Sequence, residues 1–312
     1  MKAWLLDEPR TPLRLAEVPT PEPGPGQILV KVHGAGICHS DVAYIEGAFP
    51  FQVPLPVILG HEVSGEVVAL GEGVTGFAVG DRVASAPSAT DAPGISRDGG
   101  FAEYSLLTAS KTVAFSDSVG WAQASAATDA GLTSYSGVVA HGGTTEGDRI
   151  LVIGLGGLGM TGASIGVLSG ATVYAAEPRA DVWPIAAEHG VTKVVADAAE
   201  YAGEDFDAVI DFAGFDATVT AAVRAVKPGG TVAVVGLGGS EVTLNPMELV
   251  SRNVVLRGST PAGDPAHLEA MLGWIAAGDL HIEVTEIDFA DIPDGLARLA
   301  RGEVKGRLVA VS

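Results

Sequence analysis

Leu151-Val152-Ile153-Gly154-Leu155-Gly156-Gly157-Leu158-Gly159-Met160 is the stretch that decides the fold. A short apolar run enters the pattern Gly-x-Gly-x-x-Gly and leaves it into small apolar residues of helical character. The next apolar run, Thr172-Val173-Tyr174-Ala175-Ala176, closes on Glu177. Strand, glycine loop, helix, strand and acid in that order form the context that a dinucleotide-binding fingerprint requires. Gly154, Gly156 and Gly159 permit a tight turn and a close backbone approach, so that amides at Gly157 and Leu158 can meet a pyrophosphate at the helix start. In a chain with 42 glycines the glycine pattern alone would carry little weight, and the flanking elements give it meaning. Glu177 favours NAD, because a carboxylate there accepts hydrogen bonds from the adenosine ribose hydroxyls and repels a 2′-phosphate. Arg179 can soften that repulsion, which keeps NADP or dual use as the lesser alternative. Its plain reading is a solvent-facing arginine.

Outward from this unit the pattern keeps alternating. A helix is expected from Leu132 to about Ala140, strands at 149–153, 172–176, 207–211 and 231–235, and helices after Gly157, around Trp183 to His189 and around 216–226. Repeated βα alternation predicts an α/β, doubly wound parallel sheet with helices on both faces, a Rossmann domain over residues 132–257. Val254-Val255-Leu256-Arg257 reads as a further strand near the sheet edge. Residues 1–131 differ. Short strands such as Ile28-Leu29-Val30-Lys31-Val32 and Gly65-Glu66-Val67-Val68-Ala69-Leu70 stand between Pro/Gly turns, so this part reads as mostly β. The tail, residues 258–312, holds a helix at about 264–277 and the apolar close Arg307-Leu308-Val309-Ala310-Val311.

The only cysteine, Cys38, lies in Gly36-Ile37-Cys38-His39-Ser40-Asp41, which excludes an intramolecular disulfide. Taken alone it reads as a small buried hydrophobe. Gly60-His61-Glu62 changes that reading, because two adjacent ionisable groups sit between apolar Val57-Ile58-Leu59 and Gly65-Glu66-Val67-Val68, where they are costly unless partnered. A thiol and an imidazole supply two of the three protein ligands of a catalytic zinc.

With these motifs on the page, the chain resembles the zinc-dependent alcohol dehydrogenases of the medium-chain dehydrogenase/reductase superfamily. Gly60-His61-Glu62-Val63-Ser64-Gly65 with Gly71 and Val74 meets the family pattern. The resemblance continues through Gly80-Asp81-Arg82-Val83, Gly99-Gly100-Phe101-Ala102-Glu103-Tyr104, the dinucleotide loop and Lys305-Gly306-Arg307-Leu308-Val309. It implies a GroES-like catalytic domain for residues 1–131, rejoined by the tail, beside the Rossmann domain. It also implies reversible oxidation of an alcohol to an aldehyde or ketone, with hydride passing to NAD, in a homodimer or homotetramer.

Two departures from the family pattern matter. The third zinc ligand is often a cysteine, and here Asp129 stands before Ala130-Gly131-Leu132-Thr133-Ser134-Tyr135. A carboxylate is a competent ligand, so Cys38, His61 and Asp129 are the expected metal set, with a turn or helix-cap role as the plain alternative for Asp129. Glu62 is either a resting fourth ligand that leaves when substrate arrives or a group behind the ligands. The second departure is the interval Ala84 to Asp98, where many relatives carry four cysteines on a structural zinc and this chain has none. One catalytic zinc per chain and no structural zinc is the expectation.

The resemblance also implies roles around the metal. Ser40 would begin a proton relay, which relatives often continue with a histidine where Ala43 stands here. Asp41 would orient His61. His39 and Arg307 would approach the pyrophosphate, and Thr133, Gly236 and Leu237 the nicotinamide. Ala86 and Pro87 replace a bulky aromatic wall, while Phe49, Phe51 and Trp121 line other parts of the site, so a secondary or bulky alcohol is the expected substrate.

Composition narrows the partners. With 18 basic against 38 acidic residues the net charge is −20, which disfavours nucleic acid and anionic membranes. The uncharged run Ile150 to Ala176 reaches membrane-spanning length, but its glycines and fingerprint assign it to a buried strand, helix and strand. The opening residues have no hydrophobic signal region, so a soluble, cytoplasmic protein with a small-molecule substrate is expected. Two rivals remain: a zinc-independent NAD(P)H quinone or enoyl reductase on the same fold, and a non-enzymatic binding member.

Overall fold

Strand Arg149–Ile153 is buried at every position after its first, so both faces of its sheet are covered. Each of Ile150, Leu151 and Val152 removed from water contributes roughly 1.5–3 kcal/mol. A computed structural model, which describes residues 1–50, 53–88 and 90–312, places this strand inside a six-stranded sheet. The order is Lys193–Val195, Thr172–Ala176, Arg149–Ile153, Phe206–Asp211, Val226–Val234, Val255–Gly258, with every neighbouring pair parallel. Chain order reverses between Arg149–Ile153 and Phe206–Asp211. That reversal is the switch point at whose strand ends such sheets bind ligands. Val255–Gly258 is an edge strand, as its sequence position suggested.

Helix Gly157–Leu168 starts directly after the loop. Gly154 has φ 84°, and a Cβ on Gly159 would stand 1.7 Å from the Gly154 carbonyl oxygen, so the turn closes only with glycines at both places. The run Ile150 to Ala176 is thus strand, loop, helix and strand. Among the described residues no helix is long and apolar enough to cross a membrane.

The helix expected to begin at Leu132 begins earlier. Helical turns run without interruption from Trp121 to His141, α over Trp121–Ala126 and Leu132–Tyr135, π over Ala127–Gly131 and Ser136–His141. Asp129 and Gly131 carry turn signals that the alanine-rich run overrides. Strand Lys193–Val195 and helices Pro246–Val250 and Ile292–Ala300 lay outside the sequence expectation.

Residues Met1–Leu132 and Pro261–Ser312 form one compact unit, and Thr133–Thr260 the other. The first unit is built on a sheet ordered Val284–Asp288, Arg307–Val311, Gln27–Ile37, Glu62–Leu70, Arg82–Ser85, Thr112–Ala114, with Tyr104–Thr108 also paired to Gln27–Ile37. Phe101, Ile28, Ile37 and Leu107 fill its core. Register places the functional residues: Gly36 pairs with Glu62 on one side of Gln27–Ile37, and Ile37 with Leu308 on the other. The end of this strand therefore brings Cys38, Glu62 and Arg307 together.

Candidate metal centre and dinucleotide loop

Cys38 follows strand Gln27–Ile37 and caps helix His39–Ile45. Asp41, on the first turn of that helix, is 1% exposed. Its Oδ2 accepts the Cys38 backbone N–H at 3.0 Å and its Oδ1 accepts the Gly60 N–H at 3.3 Å. The same Oδ1 lies 3.3 Å from His61 Nδ1, an ion-pair distance whose angle falls short of a hydrogen bond. One carboxylate thus ties both ligand-bearing segments and turns the other imidazole nitrogen, Nε2, toward Asp129 at 3.8 Å.

Ligand atoms of Cys38, His61, Glu62 and Asp129 all lie within 4.8 Å of one another, and no other group of three or more such donors occurs among the described residues. Asp129 reaches the group from the π turn Ala127–Gly131, whose extra residue per turn re-aims its side chain. Glu62 is fully buried, and neither of its carboxylate oxygens has a hydrogen-bond partner. A side chain at Gly36 would displace it, since a Cβ there would stand 2.1 Å from Oε2.

Arg307 takes a place the sequence reading did not give it. Its guanidinium lies 3.1 Å from Glu62 Oε1 and 2.9 Å from Asp129 Oδ2, and donates to the Ile37 carbonyl at 3.2 Å. An arginine opening an apolar strand was the available signal, since a buried charge demands partners.

The electrostatics follow from this packing. Burial opposes the charged form of His61, but the Asp41 carboxylate beside it, together with Asp129 and Cys38, outweighs burial and holds the imidazole well above its usual pKa. Burial would raise Asp129, yet the His61 hydrogen bond and the Arg307 charge hold it far below the carboxylate range. Burial dominates at Glu62 and pushes its carboxyl up to about 8 despite Arg307. Burial also opposes the Arg307 charge, but the acidic groups around it, Glu62 foremost, raise its pKa.

Asp41→Ala is expected to weaken metal binding about 10–100-fold while leaving the Cys38, His61 and Asp129 donors in the chain. Competitive chelator titration reads this directly, and unchanged affinity would remove Asp41 from the site.

Ser40 Oγ lies 3.7 Å from Cys38 Sγ. His39 keeps part of its surface in water, and the burial of the rest, with the Arg307 charge, lowers its imidazole pKa. Ala86 and Pro87 are buried. Phe49 packs edge-on against Tyr44 at 5.6 Å, and Phe51 lies outside the described residues. Trp121 is stacked on His33 at 4.7 Å and capped by the Arg82 guanidinium at 3.9 Å. The interval Ala84 to Asp98 is held by an Asp91–Arg97 ion pair and a Thr108 hydroxyl donating to Asp91 at 3.1 Å.

In the second unit the glycine loop lies past Ile153, and Glu177 follows the neighbouring strand Thr172–Ala176. Open space surrounds Gly156 where a Cβ would stand, which leaves its backbone approachable. Glu177 is 3% exposed and bound to Arg179 through both carboxylate oxygens, at 2.8 and 3.1 Å. Burial would raise its pKa, but the hydrogen bonds from Arg179 and Leu155 lower it. Thr133 is buried, while Gly236 and Leu237 follow strand Val226–Val234, with Leu237 83% exposed.

The chain is similar to known proteins over its whole length. The Alcohol dehydrogenase GroES-like domain family matches residues 24–117, and the Zinc-binding dehydrogenase family matches residues 157–277. An alcohol dehydrogenase of Moraxella sp. is 30% identical over 99% of this chain and 98% of its own length. An NAD-dependent alcohol dehydrogenase of Sulfurisphaera tokodaii is 28% identical over the whole of both chains. Acetophenone reductase from Geotrichum candidum, solved with NAD, superposes with a TM-score of 0.89 at 29% identity, covering 100% of this chain and 97% of that one.

Proposed function

This chain belongs to the zinc-type alcohol dehydrogenases of the medium-chain dehydrogenase/reductase superfamily, and on that premise we propose that it interconverts an alcohol and its carbonyl compound with one zinc ion and NAD. That it is an alcohol/ketone oxidoreductase follows from its relatives. The zinc count, the ligand set and the cofactor-binding residues are our reading. The convergence of Cys38, His61, Glu62 and Asp129 donors within 4.8 Å carries it.

The donor set fits zinc. One thiolate, one carboxylate and one imidazole that gives up its proton to the ion, from Cys38, Asp129 and His61, would balance a divalent charge, while Glu62, its carboxyl pushed up to about 8, stands beside Arg307 behind them. When bound, zinc supplies Lewis acidity that lowers the pKa of an alcohol and polarises a carbonyl, and NAD supplies the hydride acceptor. Asp41 holds His61 in the tautomer that presents Nε2. The Ser40 hydroxyl, beside Cys38, takes the alcohol proton and passes it to water, because Ala43 offers no further carrier. When NAD is bound, amides of the Gly154 to Gly159 loop would hold its pyrophosphate, Thr133, Gly236 and Leu237 would serve the nicotinamide, and His39 would serve the phosphates. Arg307 stands against Glu62 and Asp129 at the metal site, and its approach to the pyrophosphate remains part of the proposal.

Metal analysis together with alcohol-dependent NAD reduction tests the reading. About one zinc per chain, with turnover lost on chelation and restored by zinc, is expected. Full activity in metal-free protein would sink it and favour the zinc-independent reductase; metal without any nucleotide reduction would favour a binding member. With Ala86 and Pro87 in place of bulk, kcat/KM should favour bulky secondary alcohols over small primary ones, and the reverse order would refute that part. A homodimer or homotetramer is proposed through the edge strand Val255–Gly258, beside which Met247 and Val250 are 67% and 78% exposed. Sedimentation as a monomer would exclude it.

A further inference from the structure

An ionised carboxylate has about four acceptor sites, and at Glu177 the chain itself fills four. Oε1 accepts the Arg179 backbone N–H at 3.0 Å and Arg179 Nε at 2.8 Å, and Oε2 accepts the Leu155 N–H at 2.8 Å and Arg179 Nη2 at 3.1 Å. The same Nη2 reaches the Leu155 carbonyl in the glycine loop at 3.4 Å. Ribose hydroxyls therefore find no vacant acceptor on Glu177 until the guanidinium moves. The two partners differ in freedom: the Glu177 side chain is 4% exposed and pinned between strand end and loop, whereas that of Arg179 is 50% exposed and swings without disturbing the core.

We propose that Arg179 is the residue that sets the dinucleotide preference, competing with the adenosine ribose for Glu177 and, once displaced, serving as the partner of a 2′-phosphate, so that the chain accepts both NAD and NADP. This rests on the reading of the loop as a nicotinamide dinucleotide site. An acid in this position faces the ribose 2′-oxygen, and an arginine nearby accommodates a phosphate there. A guanidinium already held against that acid is one side-chain rotation from such a phosphate, and its planar fork binds the phosphate through two hydrogen bonds. The pair also leaves Glu177 without the uncompensated charge that would otherwise repel NADP.

The test is equilibrium binding of NAD and NADP, each alone, to the zinc-loaded protein, read by calorimetry in wild type, Arg179→Ala and Arg179→Gln. In wild type the two dissociation constants should lie within about tenfold of each other. Both variants should tighten NAD or leave it unchanged while weakening NADP, raising the ratio of Kd for NADP to Kd for NAD by at least about tenfold, one charge-assisted contact's worth. Parallel weakening of both nucleotides would show that Arg179 only props the loop, and would overturn the proposal. So would an unchanged ratio. Failure of wild type to bind either nucleotide would instead sink the dinucleotide reading itself and this inference with it.

Discussion

Asp129→Ala is expected to leave the protein folded and nearly free of zinc, with kcat/KM for alcohol oxidation reduced by more than about 100-fold. The bound comes from the chemistry of ligand shells: groups that merely orient a ligand cost about 10–100-fold when removed, and a ligand itself must cost more. Charge points the same way. With Asp129 gone, Cys38 alone offsets the ion among the three proposed ligands, and Arg307 loses one of two carboxylate partners. Asp129→Cys separates the ligand role from the packing role, because a thiolate is an equally competent zinc donor of the same charge. Zinc content by mass spectrometry should fall far below one per chain in the alanine variant and stay near one in the cysteine variant. Full zinc occupancy and unaltered turnover in Asp129→Ala would place Asp129 outside the ligand set.

The parts of this site that could be read beforehand are those whose chemistry is local in the chain. Cys38 and Asp41 share one helical turn, His61 and Glu62 are neighbours, and the Gly154 to Gly159 loop carries its own strand and helix. The contacts of Arg307 with Glu62 and Asp129 were not legible, because nothing near it in sequence says what it faces. Its partners are set by strand register, through Gly36 opposite Glu62 and Ile37 opposite Leu308. Asp129 was recognised as a donor, but the helical run that carries it was not, since its Asp and Gly read as a turn and a π turn leaves no periodic signature. The surroundings of Trp121 were not legible for a related reason: an aromatic side chain looks equally apt for a substrate wall and for a stack with His33 and Arg82. Saturation of Glu177 by Arg179 likewise depends on side-chain geometry at the strand end. Spacing alone does not carry that.

Arg307→Met should destabilise the fold by about 3–5 kcal/mol, the usual loss when one member of a buried ion pair is removed and its partner, here Asp129, stays charged. The arginine is 8% exposed and is the cation facing two carboxylates, one of them fully buried. The loss should depend on pH in a definite direction. Glu62 has its folded-state pKa raised to about 8, above its ordinary value of 4.5. A carboxyl raised in this way binds a proton in the folded state that the unfolded chain has released. Its contribution to stability therefore declines as pH rises from 4.5 through 8. Without Arg307 that pKa climbs further, because the cation holding it down is gone, so the penalty for ionising Glu62 continues to grow at alkaline pH. In chelator-treated protein the gap between wild type and Arg307→Met should thus widen between pH 6 and pH 9, measured by urea denaturation at each pH. Adding Glu62→Gln to Arg307→Met removes the stranded carboxylate, and should recover part of the loss and flatten its pH dependence. A gap that narrows with rising pH, or a double variant no more stable than the single one, would mean that Arg307 acts through packing of its stem and not as the counter-charge of Glu62.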